Sequence, residues 1–188
     1  MTTLGGVKAG GYYVLLVQWR DGTRHLYRWA ASGGNALQSV SVPAYQTIGV
    51  TEDASAVLCA YHVSSKVTVV ERSASTLAII KTVTNAVAAA STSPVAAVAR
   101  RTPTLYVTGV AGAGMLRFTD STGADRSEFE VAQASSVLAG YGYNGSVYWS
   151  AVGEGRIVAH DGTDWSGAWR VYRDFAFTWR KGTTAETL

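Results

Sequence analysis

The chain has 188 residues, 47% of them hydrophobic and only 15% charged, with a formal net charge of +3. That length supports one domain with a core of its own, and the single Cys59 excludes an intrachain disulfide framework or a multi-cysteine metal site. No apolar run reaches the roughly 18 residues of a membrane helix, Met1 to Gly11 does not read as a secretory signal, and 16 basic residues scattered against 13 acidic ones do not announce nucleic-acid binding.

The composition points to strands: 23 Val and 20 Thr stand against 11 Leu and 4 Lys, with 20 Gly. β-Branched and aromatic side chains suit a pleated surface, whereas Leu and Lys are helix builders. In chain order, the first strand–turn–strand unit runs Tyr13–Trp19, turns at Asp21-Gly22 and continues over Arg24–Trp29. Further strands are expected over Leu37–Val42 and Gln46–Val50. The second unit runs Ala56–Tyr61, turns at Ser64-Ser65 and continues over Lys66–Glu71, followed by a strand over Leu77–Thr82. The third runs Val95–Ala99, turns around Pro103 and continues over Leu105–Thr108, followed by Met115–Thr119 and Ser127–Val131. The fourth runs Val137–Tyr141, turns at Asn144-Gly145 and continues over Val147–Ser150, followed by Arg156–Ala159. Asp-Gly and Asn-Gly are strong hairpin signals because both turn positions need positive φ.

The second arms of these units start their cores at Leu26, Thr68, Tyr106 and Tyr148, spaced 42, 38 and 42 residues apart. About four short strands per period of roughly 40–45 residues is the rhythm of a propeller blade. The second period carries the likeness furthest. Thr47-Ile48-Gly49-Val50-Thr51-Glu52-Asp53 stands where WD40-like repeats have a hydrophobic-x-x-Ser-Pro-Asp-Gly segment. Val67–Arg72, closed by acidic Glu71, resembles the third strand of a blade, and Leu77–Val83 the outer one. The chain thus resembles a WD40-like β-propeller repeat protein, although it has neither the Gly-His pair nor the Trp-Asp dipeptide. The expectation is an all-β fold of four propeller-blade-like repeats of about 40 residues, with a twin-sheet β-sandwich as the alternative. A single all-β domain is expected over 1–182, with 183–188 fraying at the C-terminus.

The tryptophans cluster at the two ends, Trp19 and Trp29 near the start and Trp149, Trp165, Trp169 and Trp179 in the last 40 residues. From Trp169 to Trp179 the tail alternates as an extended strand, expected either to pair within the chain and close the ring or to reach a neighbouring subunit. Trp165, Trp169, Tyr172, Phe175 and Trp179 are the interface candidates, since Trp, Tyr and Arg concentrate binding energy. Tyr141, Tyr143, Tyr148 and Trp149 are candidates for stacking on a ligand.

Chemistry is sparse. Gly140-Tyr141-Gly142-Tyr143-Asn144-Gly145 has the letters of a dinucleotide fingerprint, but strand-like Ser146–Trp149 follows where a helix must begin. Cys59 sits mid-strand as a small hydrophobe, and His25, His62 and His160 fall in three separate repeats without metal-ligand spacing. Asp161-Gly162-Thr163 repeats the Asp21-Gly22-Thr23 turn, which favours turn chemistry over a calcium loop. A channel enzyme would have only His25, Glu52, Asp53 and Asp161 to draw on, and Arg100-Arg101 could dock an acidic partner or solubilise a strand edge. No catalytic residue, cofactor or metal is expected.

The Gly/Ala/Thr/Val-rich make-up, low charge and aromatic ends resemble those of small virion proteins of tailed bacteriophages. That resemblance implies a non-enzymatic structural component of a tail or capsid surface, located in the virion and acting through contacts with other protein subunits as a homo-oligomer or larger assembly. The alternative is a lectin-like module for carbohydrate or peptide, cytoplasmic or at a cell surface.

Overall fold

A computed structural model of the chain describes residues 1–36, 38–86, 94–110, 115–130, 137–143, 146–151, 157–160 and 169–172. Among the described residues there are sixteen strands: β1 (Thr2–Ala9), β2 (Tyr12–Gln18), β3 (Arg24–Ala30), β4 (Gln38–Val42), β5 (Thr47–Val50), β6 (Ala56–Val63), β7 (Lys66–Ser73), β8 (Ile79–Thr84), β9 (Val95–Thr102), β10 (Leu105–Val110), β11 (Met115–Asp120), β12 (Asp125–Glu130), β13 (Val137–Tyr143), β14 (Ser146–Ala151), β15 (Ile157–His160) and β16 (Trp169–Tyr172). They form four antiparallel sheets of four strands, each taken in simple chain order. The first strands lie together, β1 against β5, β5 against β9 and β9 against β13. Among the described residues, no strand of the first sheet packs closely on a strand of the fourth.

The rhythm of four strands per period is as the sequence implies, but the frame differs. The first two hairpin units join second to third strands (β2–β3 and β6–β7), whereas the last two join first to second strands (β9–β10 and β13–β14). Leu26 and Thr68 are therefore equivalent to each other but not to Tyr106 and Tyr148. Two physical causes produce the slip. Strand β1 is hidden by Gly5 and Gly6: an added Cβ would lie 2.7 Å from Ile48 Cγ2 at Gly5 and would have to displace the tip of Leu15, 2.4 Å away, at Gly6. The turns, meanwhile, share one chemistry at unlike junctions. Asp21, Asp53 and Asp120 each accept a backbone N–H and a hydroxyl from the residue two positions on, at 2.6–3.0 Å. Yet Asp21 lies between a second and a third strand, Asp53 between a first and a second, and Asp120 at the end of a third.

The outer strand of the second sheet starts at Ile79 rather than Leu77. Leu77 adopts a φ of 57° to close the preceding turn, and its side chain is buried there. The N-terminal part of the aromatic tail, β16, pairs with β15 in register, from Ile157 opposite Tyr172 to His160 opposite Trp169. Residues 173–188 lie outside the described residues.

Among the described residues, two hydrophobic clusters join the first three sheets. Val14, Leu16, Leu26 and Val42 of the first sheet pack with Ile48, Val57, Cys59 and Val70 of the second, around Tyr45 and Leu77. On the other side of the second sheet, Leu58, Ala60, Val67, Val69 and Val83 pack with Val95, Val98 and Tyr106 of the third. The alternation along β6 sends Val57 and Cys59 one way and Leu58 and Ala60 the other, so its first five residues are all buried. Each fully buried aliphatic side chain contributes roughly 1.5–3 kcal/mol.

Candidate functional site

Two features stand apart from this packing: a charged knot between the second and third sheets and an aromatic face on the first sheet. The knot centres on Arg100 of β9. Its Nε donates to Glu52 Oε2 at 2.7 Å and its Nη1 to Glu71 Oε1 at 2.8 Å, with Asp53 Oδ1 3.7 Å from Nη2. The Tyr106 hydroxyl donates to Glu71 Oε2 at 3.0 Å. Burial works against the Arg100 charge, but the two glutamates outweigh it and hold the guanidinium protonated. Burial, and then the Glu71 charge, push the Tyr106 hydroxyl up to about 12. The Thr51 hydroxyl and the Ser55 amide and hydroxyl bring Asp53 down to about 2. With its donors committed to carboxylates of the same chain, Arg100 is a strut between sheets rather than a docking cation. A second clamp ties the second sheet to the connection that leads into it, where Arg72 Nη2 donates to the Tyr45 hydroxyl at 2.9 Å and Arg72 Nη1 to the Leu77 carbonyl at 2.6 Å.

The aromatic face arises from alternation in the first sheet. Val14, Leu16 and Leu26 face the second sheet and are fully buried. The alternate residues pair across the strands on the opposite face: Lys8 with Tyr13 and Tyr13 with Trp29, Gly6 with Leu15 and Leu15 with Tyr27, Val17 with His25. The Tyr27 and Trp29 rings stack with centroids 5.9 Å apart, and the His25 ring lies 6.1 Å from Tyr27. Lys8 Nζ sits 5.9 Å from the Tyr13 ring centroid. Tyr13 is 46% exposed, and Leu15, Tyr27 and Trp29 are half-buried. The surface is amphipathic, with apolar bodies and polar tips, and can hold a flat partner by area and a few hydrogen bonds.

Of the residues singled out from sequence, Tyr141 and Tyr148 are direct partners across β13 and β14, Tyr143 pairs with Ser146, and Trp149 lies opposite Gly140 and Val158. Trp169 pairs with His160 and Tyr172 with Ile157. Trp165, Phe175, Trp179 and Asp161 lie outside the described residues. The four residues considered for channel chemistry are not one cluster: Glu52 and Asp53 belong to the Arg100 knot, while the His25 ring lies tilted beside Tyr27 in the first sheet. Cys59 is fully buried, and burial raises its thiol to about 12. Among the described residues, no group of three or more His, Cys, Asp or Glu is placed to hold a metal ion. The aromatic face is the feature that sequence reading did not single out. Its signal was present as Tyr13, Leu15, Tyr27 and Trp29 at alternate positions of two paired strands.

Sheet order and stacking can be compared with known folds. No family model matches the chain, and no curated protein matches it. Solved structures do match. The fold is propeller-like. The WD40 repeats of RRP9 match 92% of this chain at 10% identity with a TM-score of 0.60. A protein of unknown function from Bacteroides caccae matches 91% of it at 12% identity with a TM-score of 0.65, this chain covering 60% of that one. The glutaminyl cyclase of Myxococcus xanthus matches 85% of it at 13% identity with a TM-score of 0.56, this chain covering 65% of that one. The chain spans about half the length of the WD40 structures it matches, 53% of the RRP9 repeats and 54% of U3-55K. In the described residues, no helix is long and apolar enough to cross a membrane.

Proposed function

We propose that this chain is a non-enzymatic propeller-like scaffold that works by protein–protein contact, serving as a structural component on the tail or capsid surface of a bacteriophage particle. The observation that carries the scaffold reading is the division of labour among side chains. The charges drawn into the stack are paired with one another, Arg100 with Glu52 and Glu71, while large amphipathic rings are left on an outer sheet face at Tyr13, Tyr27 and Trp29. A surface of that kind binds through area and shape, with aromatic anchors carrying most of the energy. The placement in a virion rests on the compositional resemblance alone.

Proteomics and cross-linking of gradient-purified particles from a producing culture test the reading. Peptides of this chain at a fixed ratio to the major particle proteins, cross-linked to a constant neighbour, are the expected result. Absence from the particles removes the virion setting, and turnover of a small substrate abolished by substitution of Glu52 or Asp53 removes the scaffold reading. The lectin-like alternative has one observation in its favour, the pairing of Tyr141 with Tyr148 across one hairpin. A glycan bound by the wild type but not by Tyr148→Ala would favour it.

A further inference from the structure

We propose that the outward face of the first sheet, centred on Tyr13, Leu15, Tyr27 and Trp29, is where a second copy of this chain seats its fourth sheet, β13–β16, so that two chains close one ring. The inference rests on the scaffold reading and names its surface and its partner.

Among the described residues, the stack is open at both ends. Each internal junction sets the first strand of one sheet against that of the next, and the succession runs β1, β5, β9, β13. The second sheet uses both faces in this succession, one in each hydrophobic core. The first sheet uses only one, and its other face carries Tyr13 at 46% exposure above half-buried Leu15, Tyr27 and Trp29, with Val17 buried at its end. A terminal repeat that ends a stack in water is expected to present a polar outer face. This one presents stacked aromatic rings and a leucine, with Lys8 over Tyr13 at its margin.

A second copy is the occupant that fits the size of the stack. The WD40 structures that the chain matches are nearly twice as long as the stretch it covers, 54% and 53% of them. Four sheets are thus about half such a ring, and two chains supply eight, the upper end of the usual range of roughly four to eight blades. A two-fold axis makes the two junctions identical, the first sheet of each copy meeting the fourth sheet of the other, and leaves no blade face open. The chemistry of the face also suits a junction formed after folding. The internal junction between the second and third sheets is lined by Val, Leu and Ala around one ring, that of Tyr106. Tyr and Trp, rigid and with polar tips, tolerate exposure in the free chain and still bury a large area on association.

The test combines light scattering over a concentration series with a photo-crosslinking residue placed at position 13. Wild type is expected to approach a single species of twice 19.9 kDa and go no further. Tyr13→Asp, at an exposed position, should remain at the monomer mass with an unchanged far-ultraviolet spectrum, and Trp29→Asp should do the same. Ile80→Asp, 58% exposed on β8 and away from this face, should associate as wild type does. The crosslinker should capture peptides from 137–172 of a differently labelled copy. A monomer at every concentration, polymers that grow with concentration, a dimer indifferent to Tyr13→Asp, or capture only within the same chain would each overturn the proposal. A monomer that still incorporates into particles would leave the scaffold reading standing, so the two failures are distinguishable.

Discussion

The first and second sheets contain the same four antiparallel strands, yet their sequences are written differently because one is covered on one face and the other on two. In β6 and β7 of the second sheet, buried residues run almost without a break from Ala56 to Ala60 and from Val67 to Arg72. In β2 and β3 of the first sheet, fully buried Val14, Leu16 and Leu26 alternate with exposed Tyr13 and half-buried Leu15 and Tyr27, until Val17 breaks the pattern. Burial on both faces brings a second requirement, since polar groups drawn into the joint must find partners there. Glu71 and Arg72, adjacent on β7, face opposite neighbours: Glu71 meets Arg100 and Tyr106 of the third sheet, and Arg72 meets Tyr45 of the connection from the first sheet. One sheet is thus glued on both sides, and the other keeps a face for outside use.

Substitutions can break this contrast in graded ways. The largest effect is expected from Arg100→Met, which strands Glu71 and Glu52 in the joint without their cation. Losing one partner of a buried ion pair costs about 3–5 kcal/mol, read as a fall in the urea midpoint. Truncation sharpens the contrast directly. Leu58→Ala, on a covered face, should cost about 2–5 kcal/mol at any protein concentration. Leu15→Ala, on the uncovered face, should cost about 1 kcal/mol in dilute solution and more as the chain associates. Gly49→Ala is expected to cost about 1–3 kcal/mol, since an added Cβ would lie 2.1 Å from the Val98 carbonyl oxygen, on backbone that cannot rotate away. At that cost the melting temperature falls by roughly 2–4 °C per kcal/mol.

The smallest effect is a pH dependence. Asp53 titrates near 2 when folded against an ordinary 3.8, so its contribution is complete above about pH 4 and is lost as the pH falls towards 2. Asp53 is 55% exposed, and solvent screening keeps the effect below about 1 kcal/mol. Asp53→Asn should flatten the stability profile between pH 4 and pH 2, as followed by chemical denaturation.

Much of the strand pattern was legible in the sequence because each strand is short and β-branched, with turn residues at its ends. The second sheet could be read almost residue by residue, from Thr47-Ile48-Gly49-Val50 through Val67–Arg72. The frame was not legible, since Asp-x-Thr/Ser turns recur at different junctions and β1 hides behind Gly5 and Gly6. The Arg100 knot joins residues 29 and 48 positions apart, a pairing that no local spacing encodes. The aromatic face needed only the register of β2 against β3, but that register matters only once the opposite face is known to be buried.

Hydroxyl-radical footprinting of the tyrosines and Trp29 in dilute, monomeric chain tests the one-faced burial of the first sheet most directly. Tyr13 and Trp29 should react readily, while Tyr45 and Tyr106, each 1% exposed, should stay protected. Equal protection of Tyr13, Trp29 and Tyr45 in the monomer would contradict it, for the outer face of the first sheet would then be covered within a single chain.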